Sequence, residues 1–108
     1  MSGSEFEVSE ARDGDRVVLA VSGEIDLGTV GELRDALVRA GESGAPEVLV
    51  DLSDVDFMDS TGLSALVIAH RSMGADARWL VIICPPGPAR RALEVSGLDG
   101  VLRLDRAR

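Results

Sequence analysis

Lysine, tyrosine, asparagine and glutamine are absent from the 108 residues, and all 11 basic side chains are arginine. Without lysine the chain can form no Schiff base and no Walker-type phosphate loop, whose lysine reaches the terminal phosphates. A single cysteine, Cys84, excludes an internal disulfide and a cysteine-rich zinc site, and a single histidine, His70, excludes the paired-histidine metal motifs. No stretch approaches the roughly 18 apolar residues of a membrane-spanning helix. The first residues, Met-Ser-Gly-Ser-Glu-Phe-Glu, lack the apolar core of a secretory leader. Together these features predict a cytoplasmic protein with no membrane partner. Positive charge is also scarce. With 11 basic against 19 acidic residues the formal net charge is -8, which repels a nucleic-acid backbone, so no nucleic-acid partner is expected. No residue pattern calls for a cofactor.

What is present suits a soluble globule, with 45% hydrophobic and 28% charged residues, and the length suits one domain spanning 1–108 with a folded core over about 5–104. Alternation of Phe6 and Val8 with Glu5, Glu7 and Ser9 predicts an edge strand over 5–10. Asp13-Gly14 favours a tight hairpin turn into a second, antiparallel strand over 17–21. Thr29 and Glu32 have the capping-box spacing, and Val30, Leu33, Leu37 and Ala40 recur at helical intervals, predicting a helix over 29–40 stopped by Gly41. Val48-Leu49-Val50, ending at Asp51, suits a strand buried on both faces. From Ser60, one helical face carries Leu63, Leu66, Val67, His70 and Met73, with Gly74 placed to end the helix. The strongest strand signal is 79–84. Pro85-Pro86-Gly87-Pro88 breaks it before a third helix with Ala89, Ala92, Leu93 and Val95, ended by Gly97, and 101–104 forms a last strand.

The order ββαβαβαβ implies an α/β domain with a mixed, mostly parallel β-sheet covered by helices. Loops after the strand carboxyl ends, 23–28, 52–59 and 85–88, then gather at one rim, where a site is expected. Its densest polar feature runs from Asp51 through Asp54, Asp56 and Asp59 to Ser60-Thr61-Gly62. Helix capping accounts for any one of these aspartates. It accounts less well for both hydroxyls, since Asp59 can cap and leave Ser60 pointing outward. Gly62 in the first turn costs roughly 1 kcal/mol of helix propensity relative to Ala, which close approach of another backbone would explain.

Three chemistries compete for this segment. A nucleophilic Ser60 needs a base, but His70 lies nearly three turns along the same helix and cannot reach it. A magnesium pocket of Asp51, Asp54 and Asp56, like that of phospho-aspartate receivers, normally works with a lysine that this chain lacks. In the third, Ser60 itself accepts phosphate, the free amides of the helix receiving the group while its charge of about -1.5 to -2 changes the surface.

Asp59-Ser60-Thr61-Gly62-Leu63 after a short strand, Gly23-Glu24-Ile25-Asp26-Leu27 before the first helix, and Pro85-Pro86 with Arg90-Arg91-Ala92-Leu93-Glu94 and Gly97-Leu98 resemble the anti-sigma-factor antagonists, single-domain members of the STAS fold. The resemblance implies a partner switch without enzymatic activity. The unphosphorylated antagonist binds an anti-sigma factor with serine kinase activity and frees the sigma factor; phosphorylation ends the binding, and a serine phosphatase restores it. By position, Ser60 is the implied acceptor, with Thr61 as alternative, and Asp26, Asp59, Ser60, Thr61 and Gly62 form the implied partner-binding surface. A monomer or weak dimer is expected. The competing reading is a module of the same fold in another signalling or transporter complex, not regulated by serine phosphorylation. His70, Cys84 and Trp79 read as packing residues, and Arg90-Arg91 as a solvated helix face or a contact for an acidic partner.

Overall fold

The computed structural model describes residues 5–75 and 79–108. Gly14, at φ 65°, turns the chain between β1 (Glu7–Asp13) and β2 (Arg16–Ile25), whose antiparallel ladder closes at Asp13 opposite Arg16. The hairpin loop is therefore Gly14-Asp15, a two-residue connection of the type that needs positive φ. After β2 follow α1 (Val30–Glu42), β3 (Glu47–Met58), α2 (Ser60–Ala75), β4 (Trp79–Ile83), α3 (Pro88–Val95), a 3-10 turn at Leu98–Gly100, and β5 (Arg103–Asp105). The five strands lie in the order β1-β2-β3-β4-β5, parallel except for β1. This is the expected α/β arrangement with a mixed, mostly parallel sheet.

Several boundaries differ from the sequence reading. Both β2 and β3 continue well past the positions expected of them, paired through Ser22↔Asp54 and Gly23↔Val55 to Ile25↔Met58, with irregularities between Ala20 and Ser22 and between Gly23 and Glu24. Most of 23–28 and 52–59, expected as rim loops, is thus strand. The irregularities explain why: buried Leu52, Val55 and Met58 fall three residues apart, so the period of two that marks a strand is broken. Gly41 does not stop α1. The helix continues to Glu42, the Ser43 hydroxyl donates to the Ala40 carbonyl at 2.6 Å, and Gly44 at φ 76° turns the chain away. Gly74 likewise lies inside α2, and Val95 is exposed rather than part of the buried face of α3, which is Ala89 and Leu93. All described peptide bonds are trans.

Val17, Leu19 and Val21 of β2, Val48, Val50 and Leu52 of β3, and Leu80 and Ile82 of β4 face the main core. Leu33 and Leu37 of α1, Leu66 of α2 and Leu93 of α3 belong to the same cluster. All three helices therefore pack toward one side of the sheet. The alternate positions Val18, Leu49 and Ile83, with Val81 against them, form a small second cluster to which, among the described residues, no helix contributes. On that side Arg108 Nε pairs with Asp51 Oδ2 at 2.9 Å, and the Arg103 guanidinium stacks 3.7 Å from the Trp79 ring centroid. β4 pairs with β3 only over Glu47–Asp51, and α3 packs against β3. A helix thereby covers part of a strand that would otherwise expose an unpaired edge.

Candidate functional site

The paired ends of β2 and β3 bring two aspartates together in sequence register. Asp26 directly follows Ile25, Asp59 directly follows Met58, and Ile25 is opposite Met58. The Asp59 amide donates to the Ile25 carbonyl at 3.1 Å, tying the start of α2 to the end of β2.

Asp59 is the amino-terminal cap of α2. Its Oδ1 accepts the Thr61 amide at 2.9 Å and a very short bond from the Thr61 hydroxyl, while its carbonyl accepts the Leu63 amide at 3.3 Å. The Thr61 hydroxyl above all, opposed by desolvation and aided to a lesser degree by the Thr61 and Gly62 amides, holds the Asp59 carboxyl below the usual carboxylate range. Thr61 is half-buried and its hydroxyl is committed to this bond. Ser60 is exposed, and among the described residues its hydroxyl makes no hydrogen bond. The two hydroxyls left open by the sequence are therefore unlike: one closes the cap and the other faces solvent.

Gly62 is buried, and a Cβ there would stand 2.7 Å from Ile25 Cγ2 and 2.8 Å from Met58 Cγ. The glycine is required by side chains, not by the backbone approach expected from sequence. Such a backbone approach does occur at Gly23, where φ is 90° and a Cβ would lie 2.4 Å from the Glu5 carbonyl oxygen.

Asp26 closes the turn that leads into α1, whose amino-terminal cap position is Thr29. Its Oδ1 accepts the Gly28 amide at 2.9 Å and the Thr29 amide at 3.1 Å ahead of α1. The Thr29 hydroxyl does not close the expected capping box with Glu32. It accepts the Asp26 amide at 2.9 Å and donates to the Glu24 carbonyl at 2.7 Å, because β2 runs on to Ile25 and places that carbonyl within reach. Asp51, Asp54 and Asp56 do not converge. Asp51 accepts the amide and hydroxyl of Ser53 at 2.9 and 2.5 Å and pairs with Arg108, whereas Asp54 and Asp56 project outward from β3. Among the described residues no group of three or more His, Cys, Asp or Glu side chains is placed to hold a metal ion.

Two apolar side chains on these segments escaped the sequence reading: Leu27 is 80% exposed and Phe57 48% exposed. Leu27 had a visible signal, an apolar residue beyond a strand end between Asp26 and Gly28. Phe57 had none, since its outward orientation depends on the irregular register of β3.

The family model described as "Mlab, STAS domain" matches residues 8–104. The chain belongs to the STAS family. An anti-sigma-B factor antagonist of Staphylococcus aureus is 31% identical to this STAS domain over 85 residues, 79% of each chain. The crystal structure of an anti-sigma factor antagonist from Mycobacterium paratuberculosis superimposes with a TM-score of 0.88 at 26% identity, covering 95% of this chain and 87% of that one. The Bacillus cell fate determinant SpoIIAA in its phosphorylated form has the same fold, with a TM-score of 0.69 at 24% identity over 94% of this chain and 91% of that one. Among the described residues, no helix of this STAS domain is long and apolar enough to cross a membrane.

Proposed function

We propose that this STAS domain is an anti-sigma factor antagonist, a regulatory binding protein rather than an enzyme, and that phosphorylation of Ser60 switches its binding off. The carrying observation is the contrast at the start of α2: the Ser60 hydroxyl is exposed and unbonded, while that of Thr61 is held by Asp59. Names of the relatives support the antagonist role, and the phosphorylated form of SpoIIAA shows that a protein of this fold carries phosphate.

In this reading the unphosphorylated protein presses the rim made of Asp26, Asp59, Ser60, Thr61 and Gly62 against an anti-sigma factor that is also a serine kinase. The kinase transfers the terminal phosphoryl group of ATP to Ser60 Oγ, the phosphoanhydride bond breaking to leave ADP and the serine proton passing to the kinase's base. A phosphatase hydrolyses the ester and restores the hydroxyl. A hundredfold loss of affinity needs only about 2.7 kcal/mol. Burying a dianion without a partner costs at least that, since one unmatched polar group already costs about 1 to 3 kcal/mol.

Titration of the unphosphorylated and phosphorylated forms against the anti-sigma factor tests the switch. Weaker binding of the phosphorylated form, mimicked by Ser60→Asp, is expected, while Ser60→Ala should bind and stay bound in the presence of ATP. Equal affinity of the two forms would overturn the switch, and capture of a transporter subunit in place of an anti-sigma factor would replace the partner.

A further inference from the structure

A helix amino terminus normally welcomes phosphate, because its first amides lack partners and the dipole favours negative charge. At α2 Asp59 already engages part of that set. The Thr61 amide donates to the Asp59 carboxylate at 2.9 Å, the Gly62 amide helps to stabilise that carboxylate's charge, and the Asp59 carbonyl accepts the Leu63 amide at 3.3 Å, leaving the Ser60 amide outside the cap. A phosphate on Ser60 that sought the Thr61 amide would therefore have to displace Asp59.

Cations do not replace these amides. Segments 23–28, 52–62 and 85–88 contain no arginine, and they carry Glu24, Asp26, Asp54, Asp56 and Asp59. Glu32 adds another carboxylate in the first turn of α1, and the first turn of α2 has no charged residue of its own. Arg90 of α3 is engaged, donating to the Cys84 carbonyl at 2.6 Å and lying 3.6 Å from the Glu94 carboxylate. Arg108 is held by Asp51.

We propose that Asp59 acts as a built-in competitor of the phosphate, holding the Thr61 amide and hydroxyl at the amino terminus of α2 so that a phosphoryl group on Ser60 stays a solvent-facing dianion outside the helix cap. This rests on Ser60 being the acceptor and adds how the modified state is kept readable. A phosphate that capped its own helix would have part of its charge quenched and its oxygens shielded. One held off by Asp59 presents its full charge to an approaching partner and its ester to a phosphatase. Asp59 is in this respect a positioning residue, acting on the phosphate through the amides it occupies.

The test uses the full chain with phosphoserine installed at position 60 during translation, so no kinase is needed. Phosphorus NMR over about pH 4 to 8 reads the second ionisation of the phosphate, ordinarily near 6. In the otherwise unchanged protein it should titrate at or above about 6, since neighbouring carboxylates disfavour the dianion. With Asp59→Ala the freed amides should lower it by more than about half a unit, and the Thr61 and Gly62 amide protons should move downfield as the phosphate ionises. Asp59→Asn, which keeps a capping oxygen and removes the charge, should lower it by less. A phosphate titrating below about 5.5 in the otherwise unchanged protein, with those two amides following it, would overturn the proposal. An unchanged titration in both Asp59 variants would do so as well. Failure of a kinase to label Ser60 would instead count against the function proposed above and leave this titration unaffected.

Discussion

Gly62 and Ile25 are in such close contact that a methyl group on the glycine would stand 2.7 Å from Ile25 Cγ2. The first turn of α2 therefore rests directly on the last paired residues of β2 and β3. Gly62→Ala should gain up to about 1 kcal/mol of helix propensity and lose about 1 to 3 kcal/mol to overpacking, because Ile25 is fully buried and cannot yield. A net loss of about 1 to 2 kcal/mol is expected in urea unfolding. Gly74→Ala, in the same helix with nothing within 4 Å of the added carbon, should instead stabilise by up to about 1 kcal/mol.

Gly23→Ala should be worse than Gly62→Ala. It combines a left-handed backbone at φ 90° with a contact of 2.4 Å to the Glu5 carbonyl oxygen, and a carbonyl cannot swing aside as a methionine side chain can. A loss of about 2 to 5 kcal/mol is expected in the same unfolding experiment, the sum of conformational strain and overpacking.

Acid should weaken the fold through Asp59 and Asp51. The Thr61 hydroxyl and amide lower the Asp59 carboxyl; at Asp51 burial pushes upward, but the bonds from Ser53 and Arg108 outweigh it and leave that carboxyl lowered too. A carboxyl lowered in the folded state releases its proton more readily there than in the unfolded chain. The stability it contributes is therefore complete above the unfolded value of about 3.9 and is lost as pH falls through the folded value. Urea midpoints measured from neutral pH downward should drop below about pH 4, and Asp51→Asn or Asp59→Asn should flatten that drop.

Thr61→Val preserves the branched shape of the side chain and removes its bond to Asp59. The Asp59 carboxyl should then rise toward the ordinary carboxylate range, visible in a carbon-detected NMR titration, while kinase labelling remains on Ser60. Peptide mapping of Ser60→Ala should show no phosphate. Full labelling of Ser60→Ala at Thr61 would reverse the assignment of the two hydroxyls.

How much of this was readable beforehand depended on how local its cause was. Asp59 as a cap and Ser60 as the outward hydroxyl follow from neighbours within three residues, and they were legible. Gly62 was legible as a cost but not in its cause, because Ile25 reaches it only through the pairing of β2 with β3. The far ends of those strands were hidden by their own irregularities, which put Leu52, Val55 and Met58 out of alternation and let Asp54 and Asp56 pass for loop residues. Gly41, expected to stop α1, lies inside the helix, and Gly44 makes the turn instead. The exit is set by Ser43, whose hydroxyl donates to the Ala40 carbonyl and also accepts the Ala45 amide at 3.2 Å as the chain leaves the helix.

The sheet order β1-β2-β3-β4-β5 has a consequence for synthesis on the ribosome. Each strand, as it emerges, meets a neighbour that has already been made, and none has to be inserted between two existing strands. After the β1-β2 hairpin, each parallel pairing closes over a single crossover segment, which keeps the entropic cost of each step modest. Ile25, Met58 and Gly62 all precede β4 in the chain. The contacts that seat the serine-bearing turn are thus available before the carboxyl-terminal third of the protein exists, and a chain stalled beyond α2 would already contain the residues of the turn that a kinase would read.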